Sequence, residues 1–335
     1  MDPALETLLL TFSAENGLAV PGRALFLGAV PHPAFESWPH VLGWQPLKPV
    51  ADAWDRAKFP RVDQAPADRW PVVLVLPGKS RDETLAWFAL ARDRLEPGGR
   101  IVVAMPNTAG AGRFEKELAR ATGEVASLQK NKCRAFHAVE NGQWNEAVFH
   151  EWRDLLSPRL IPETDYVACA GVFSNAHVDP GSRFLAAHLP NEIRGRVADL
   201  GAGWGYLSDV VLSRSPQVSS VDLFEADSRA LDCARQNLAR HTGRVGFHWH
   251  DVTEGLPGSY DAVVMNPPFH RGQTKDVDLG AAFLAQGARA LRQGGQLFLV
   301  ANRQLPYEAI LNELGLSWRS VAENGTYKLL FAHRR

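Results

Sequence analysis

The sequence predicts two α/β domains in tandem, the first a copy of the second that has lost its chemistry. Three observations carry this. A strand, a helix, a Gly-Gly stop and a second strand occur in order from Val72 to Met105 and again from Ala262 to Ala301, the βαβ arrangement of a parallel sheet. Gly98 to Lys132 spans 34 positions, as does Gly294 to Lys328. The segments reached, Lys132-Cys-Arg-Ala-Phe-His-Ala and Lys328-Leu-Leu-Phe-Ala-His, read alike, and internal duplication is the economical explanation. Only the second copy carries a glycine turn and an Asn-Pro-Pro corner at its strand ends. Pro158 to Pro162 is the best linker, dividing the chain into residues 1–160 and 161–335.

Composition narrows the class. Hydrophobic residues make up 45% and charged residues 22%, which excludes a disordered chain. The formal net charge of -1 gives no global attraction to nucleic acid, so any RNA contact must be concentrated in local patches. Three cysteines, Cys133, Cys169 and Cys233, stand in no C-x-x-C spacing and support neither a disulfide framework nor a thiolate metal site. No basic leader opens the chain and no apolar run approaches a membrane span, so a cytoplasmic protein is expected.

In the first half, Arg23 to Val30 and Val72 to Leu76 read as buried strands. Arg81 to Leu95 reads as a helix with apolar Leu85, Phe88, Ala89 and Leu95, closed by Pro97-Gly98-Gly99 and followed by the strand from Arg100. No Gly-x-Gly-x-Gly follows the early strand. Leu76-Pro77-Gly78-Lys79 stands where the second copy has its Asn-Pro-Pro corner. Gly78-Lys79-Ser80 is the tail of a P-loop without its head, since Val73 occupies the place of the first glycine. Lys130, Lys132 and Arg134 alternate in an expected continuous strand leading to Phe136, and predict a basic stripe for phosphate contacts.

In the second half, Asp179-Pro180-Gly181-Ser182 opens a short helix through Leu189. Asp199-Leu-Gly201-Ala-Gly203-Trp-Gly205 is a strand running into a glycine turn. Tyr206 stands where a dinucleotide fingerprint has its third glycine, and Asp199 would repel a pyrophosphate but attract an ammonium group. The next strand ends on Glu225, 24 positions beyond Gly201, placed to accept ribose hydroxyls. A third delivers Asp251 and Val252 to the same edge. His248 and His250 share a strand face with no third ligand in recognisable spacing, which argues against a metal.

The strand Ala262 to Met265 stops at Asn266-Pro267-Pro268, because two prolines cannot continue a ladder. Their fixed φ holds the Asn266 side chain and the Asn266 and Pro267 carbonyls beyond the strand's carboxyl end, where open α/β sheets bind ligands. An amide oxygen and a carbonyl can take both protons of an exocyclic amine, which favours localising its lone pair. Phe269 offers a flat face for a flipped-out base. The tetrapeptide resembles that of S-adenosylmethionine-dependent amino-group methyltransferases.

Taken together, Ala170-Gly-Val-Phe-Ser174, Asp179-x-Gly-Ser182, Asp199-x-Gly-x-Gly203, Asn266-Pro-Pro-Phe-His270 and Val300-Ala-Asn-x-x-Leu-Pro-Tyr307 resemble the ribosomal RNA small subunit methyltransferase C family. The resemblance implies two class I methyltransferase-like (Rossmann-like) domains, the first degenerate. The second would be a seven-stranded, mostly parallel sheet with an antiparallel hairpin at Ser317 to Glu323 and Thr326 to Ala332. It implies methyl transfer from S-adenosylmethionine to the N2 amine of a 16S rRNA guanine, with naked rRNA or the assembled small subunit as partner, by a monomer without metal. Asp199, Gly201 and Gly203 would hold the methionine portion, Glu225 the ribose, Asp251 and Val252 the adenine, and Phe173 would line the cofactor or base pocket. Asn266 and Pro267 would bind the amine and Phe269 the base. The related large-subunit methyltransferase G shares much of the motif set. A protein-glutamine N5-methyltransferase and a cofactor-binding RNA chaperone without activity also stay open.

Overall fold

The computed structural model describes every residue but Met1, Ala14, Asn16, Phe269, Gly272, Gln273 and Asp276, and describes only the backbone of His270, Arg271, Thr274, Lys275 and Val277. Phe269 therefore lies outside the described residues. The chain divides into two compact units. Met1–Pro158 with Cys169–Gly171 form one, Arg159–Ala168 with Val172–Arg335 the other.

The first unit begins with α1 (Pro3–Leu10), which Asp2 caps by accepting the Ala4 amide. Its sheet comprises β1 (Ala24–Leu27), β2 (Val41–Trp44), β3 (Arg61–Val62), β4 (Trp70–Val75), β5 (Leu95–Pro106), β6 (Ala126–Lys130) and β7 (Cys133–Val139), in the spatial order β3-β2-β1-β4-β5-β7-β6. The helices are α2 (Lys48–Arg56), α3 (Arg81–Asp93), α4 (Ala111–Thr122) and α5 (Glu146–Arg153).

The second unit repeats the pattern after a short pair, β8 (Arg159–Leu160) with β9 (Val167–Ala168). Then come α6 (Pro180–His188), β10 (Gly195–Leu200), α7 (Tyr206–Arg214), β11 (Val218–Glu225), α8 (Ser228–Asn237), β12 (Val245–Trp249) and β13 (Tyr260–Met265). The two-residue strands β14 (His270–Arg271) and β15 (Thr274–Lys275) precede α9 (Val277–Ala290), β16 (Leu291–Asn302), α10 (Tyr307–Glu313), β17 (Ser317–Glu323) and β18 (Tyr327–His333). The order β12-β11-β10-β13-β16-β18-β17 is that of the first sheet, strand for strand. In both, the sixth strand in that order runs antiparallel to its two neighbours and the other pairings are parallel. Two Rossmann-like domains, the second a seven-stranded sheet with a carboxy-terminal antiparallel hairpin, are what the sequence reading anticipated; the first sheet has seven strands as well.

Register makes the duplication specific. In both units the fourth strand pairs with the start of the fifth, then slips past the Gly-Gly: Trp70 faces Leu95 and Val72 faces Arg100, as Tyr260 faces Leu291 and Ala262 faces Gln296. The Gly-Gly thus lies within the strand as an irregularity, not before it as a helix stop. The 34-residue echo is two residues out of structural register. Met105 faces Arg134 and Ala301 faces Lys328, so Arg134, not Lys132, is the counterpart of Lys328.

The expected basic stripe does not exist as a strand face. Asn131 and Lys132 adopt φ of 55° and 57° and turn the chain between β6 and β7, with Lys130 facing Cys133. Two successive left-handed residues form a tight hairpin turn, which ends the period-2 alternation. Arg134 is further neutralised by an ion pair with Glu115.

In the second unit alternate strand residues feed opposite faces. Ala198, Leu200, Val263, Met265, Leu297 and Leu299 pack with Phe283 and Leu284 of α9, while Val197, Val221, Leu223, Ala262 and Val264 pack with Leu185 of α6 and Val211 of α7. Burying each of the Val, Leu, Met and Phe side chains stabilises the fold by about 1.5–3 kcal/mol. Lys328 is buried at the sheet's antiparallel side, its Nζ donating to the Leu305 carbonyl and to both Glu308 oxygens at 2.6 Å. No described helix is long and apolar enough to cross a membrane.

Candidate functional site

Leu200 of β10 faces Phe224 of β11 on one side and Met265 of β13 on the other. The chain order reverses between β10 and β13, and that switch point is where an open sheet leaves a crevice. Gly201, Glu225 and Asn266 each follow or end one of these three strands. The edge residues read from the sequence therefore meet in one place.

The turn after β10 is built by its glycines. Gly201 and Ala202 both donate their amides to the Phe224 carbonyl, at 2.8 and 3.2 Å, with Gly201 at φ 70°. Gly203, at φ 55°, sends its amide to Glu225 Oε2 at 2.8 Å, and Glu225 Oε1 accepts the Asp227 amide at 2.9 Å. Both Glu225 oxygens thus hold backbone, and each keeps a second lone pair. Burial pushes the Glu225 carboxyl up, and those backbone donors pull it down.

Asp199 is 1% exposed. Ser208 Oγ, one turn into α7, donates to its Oδ2 at 2.7 Å, while Oδ1 is buried with no hydrogen-bond partner. A buried acceptor without a donor is costly, and a cation of ammonium type would complete it. Burial pushes this carboxyl up to about 7, against the Ser208 hydrogen bonds and with the Glu225 charge adding to the rise.

Asn266 donates through Nδ2 to Asp179 Oδ2 at 2.8 Å and to Ser182 Oγ at 2.9 Å, both from the start of α6. The sequence marked Asp179 and Ser182 as a helix start. Their contact with Asn266 spans more than 80 positions and has no local signal. Pro267 is buried and Pro268 half-buried.

Asp251 caps the short turn Val252–Glu254, accepting the Thr253 amide and hydroxyl, and the Val252 side chain is buried in the core beneath α9. His248 stacks on Phe224 and meets Asp222, while His250 sits edge-on to the same ring and bonds the Gly255 carbonyl. No group of three metal-ligating side chains occurs among the described residues. Phe173 is 63% exposed. Its neighbour Ser174 accepts the Trp204 indole N–H at 3.3 Å, and Asn237 Nδ2 donates to both the Val167 and Trp204 carbonyls. The loop bearing Phe173 is thereby tied to the glycine turn, which sequence reasoning did not foresee.

The same edge of the first unit shows what was lost. Leu27 faces Trp44 and Val75, as Leu200 faces Phe224 and Met265, so Gly28 matches Gly201. Gly28 keeps the left-handed φ of 75°, and Gly28 and Ala29 both donate to the Trp44 carbonyl. Half of the turn therefore persists, where the sequence suggested none. Beyond it everything differs. Phe26 replaces Asp199, Val30 replaces Gly203, Gln45 replaces Glu225 and Leu76 replaces Asn266. Gln45 spends its amide on the Ala29 carbonyl and the Leu47 amide. Trp87 packs on Gly28 where the smaller Phe283 packs on Gly201.

A parallel sheet with this strand order, a glycine turn over a buried acid, a second acid one strand away and Asn-Pro-Pro at the switch point define a class I S-adenosylmethionine-dependent methyltransferase. The chain belongs to the methyltransferase small domain family, whose model matches residues 163–331. Over the whole chain it is similar to the solved T. thermophilus 16S rRNA N2 methyltransferase in complex with AdoMet and guanosine, with 25% identity, a TM-score of 0.82, and coverage of 100% of this chain and 92% of that one. It is 29% identical over 265 residues to the ribosomal RNA small subunit methyltransferase C of Psychromonas ingrahamii, covering 78% of this chain and 75% of the relative. The Shewanella amazonensis protein of the same name is 28% identical over 275 residues, covering 80% and 79%.

Proposed function

We propose that the chain transfers a methyl group from S-adenosylmethionine to the exocyclic N2 amine of a guanine in 16S rRNA. The observation that carries this is the meeting, at one switch point, of the unpaired Asp199 Oδ1 with an Asn266 whose NH₂ is already engaged. Asp199 takes the cofactor's ammonium, the Gly201–Gly203 turn admits its methionine portion, Glu225 accepts from the ribose, and Asp251 with the Val252 backbone meets the adenine. The cofactor, when bound, supplies an electrophilic methyl group on its sulfonium. Asn266 Oδ1 and the Pro267 carbonyl accept hydrogen bonds from the two N–H groups of the amine, which draws the nitrogen lone pair out of conjugation and aims it; the carbon–nitrogen bond would form as the methyl–sulfur bond breaks, and the methylated nitrogen would then release one proton to water. Phe269 and the exposed Phe173 offer stacking faces for the base.

Small subunits, naked 16S rRNA, large subunits and release factor, each incubated with methyl-labelled cofactor, test the reading. Label recovered as N2-methylguanosine in small-subunit RNA is expected. Label in 23S rRNA alone, in a glutamine side chain, or nowhere would overturn it.

The first unit holds no second cofactor site on this reading, because Phe26, Gln45 and Leu76 have replaced Asp199, Glu225 and Asn266. Calorimetry is expected to give one S-adenosylmethionine per chain, and a stoichiometry near two would refute the disarmed copy.

For docking, we propose the outer face of α4. Arg113, Lys116 and Arg120 fall on one side of the helix, and with Gly112, Glu117 and Arg134 line a groove of about 710 Å³. Arg113 and Lys116 are exposed and form no ion pair among the described residues. Reversing both to Glu is expected to raise KM for the ribosomal substrate and to flatten its logarithmic salt dependence by roughly 0.7–0.9 per lost phosphate contact. An unchanged salt slope would make the helix face merely solvated.

A further inference from the structure

Asp179 performs two tasks with one oxygen. Its Oδ2 accepts the Ser182 backbone amide at 2.8 Å, capping α6, and accepts Asn266 Nδ2 at the same distance. Gly181 makes room for this. A Cβ there would stand 3.0 Å from that oxygen and 3.1 Å from the Tyr327 ring. Pro180 at the first helical position fixes the entry of the chain, so the carboxylate is held by local geometry before Asn266 reaches it.

An asparagine amide can face either way, and the two orientations present opposite chemistry to a substrate. A carboxylate has no proton to give, so the group facing Asp179 must be the NH₂. Ser182 Oγ, at 2.9 Å, takes the other amide proton. Both donors are then spent inside the protein, and only the oxygen of Asn266 is left for a ligand. We propose that Asp179 and Ser182 are positioning residues that lock Asn266 as an acceptor-only corner, and so select a substrate that presents an amino group and reject one that presents a carbonyl or ring nitrogen. The inference rests on the reading of Asn266 as the amine acceptor and deepens it: the choice of N2 amine over the neighbouring acceptors of a purine edge is made one layer behind the residue that touches it.

Asp179→Asn tests this, because asparagine caps a helix as well as aspartate does but can itself donate, so the orientation of Asn266 is no longer dictated. The expected result is a kcat lowered roughly tenfold or more, since misaiming a positioned group costs rate more than binding. The dissociation constant for S-adenosylmethionine and the melting temperature should stay near those of the unchanged protein. Ser182→Ala, which leaves the cap intact, should lower kcat by a smaller factor, and it decides the matter alone if the Asp179 variant melts early. The double variant should approach Asn266→Ala. Unchanged kcat in Ser182→Ala and in a folded Asp179→Asn, with Asn266→Ala impaired, overturns the positioning role and leaves the proposed function standing. Full activity in Asn266→Ala sinks the proposed function itself.

Discussion

Asn266→Ala is expected to lower kcat by roughly 10²-fold or more while leaving the S-adenosylmethionine dissociation constant within severalfold. An amide oxygen aimed at the amine gains strength as the nitrogen lone pair leaves conjugation and the N–H protons become more acidic. An interaction stronger in the transition state than in the ground state appears in kcat, not in cofactor binding. The structure sharpens the expectation. Asn266 sits on Asp179 and Ser182, which the variant leaves facing a small void that water can enter, so α6 keeps its Asp179 cap and the unit should fold. Calorimetry and single-turnover kinetics on the same preparation check both halves. Loss of cofactor binding in this variant, with methyl transfer intact once cofactor is saturating, would reverse the assigned role.

How much of this was legible follows from what kind of signal each feature leaves. Strand ends at Gly201, Glu225 and Asn266 were readable because a buried parallel strand is an apolar run, and its end is a change of residue type over two or three positions. The glycine turn was readable because φ above zero demands glycine there. The duplication was readable as order, yet its register was off by two residues, because similar side chains at Lys132 and Lys328 do not report that the connection from β5 to β7 is longer than that from β16 to β18. The hairpin between β6 and β7 was itself missed. Asn131 and Lys132 lack the glycine that usually flags such a turn, and a run of alternating charge reads as one strand. The short strands β2 and β3 left too little pattern to be seen. The Asp179 contact with Asn266 and the Asn237 tie to Val167 and Trp204 are tertiary, and a single sequence carries no trace of which distant polar groups will be paired.

Asp199→Asn is expected to weaken S-adenosylmethionine binding by roughly 2–5 kcal/mol, the scale of removing one partner of a buried charge pair. At the same time it should raise the melting temperature of the ligand-free protein near pH 7.5. Both follow from one fact. Asp199 is buried with Oδ1 unpartnered, and burial holds its carboxyl at about 7 against an ordinary value of 3.8. Between those two values the folded chain keeps a proton that the unfolded chain has released, so stability is fully present below the lower value and is lost as pH rises through the upper one. The loss is on the order of a few kcal/mol. Glu225, raised in the same direction by burial, adds to it. Asparagine removes the Asp199 share, so the ligand-free variant should melt several degrees above the unchanged protein at pH 7.5 and alongside it at pH 4, where both side chains are neutral. Cofactor affinity of the unchanged protein should climb between pH 5.5 and about 7 as the carboxylate forms, and level off below about pH 8, where an α-ammonium begins to lose its own proton. The variant should lose the Asp199 share of that climb. A site that stored an unpaired charge for a ligand would be less stable empty than full, and the two measurements separate that design from a merely structural acid. Cofactor affinity unchanged by the substitution, or a melting difference that does not vary with pH, would remove Asp199 from the ammonium site.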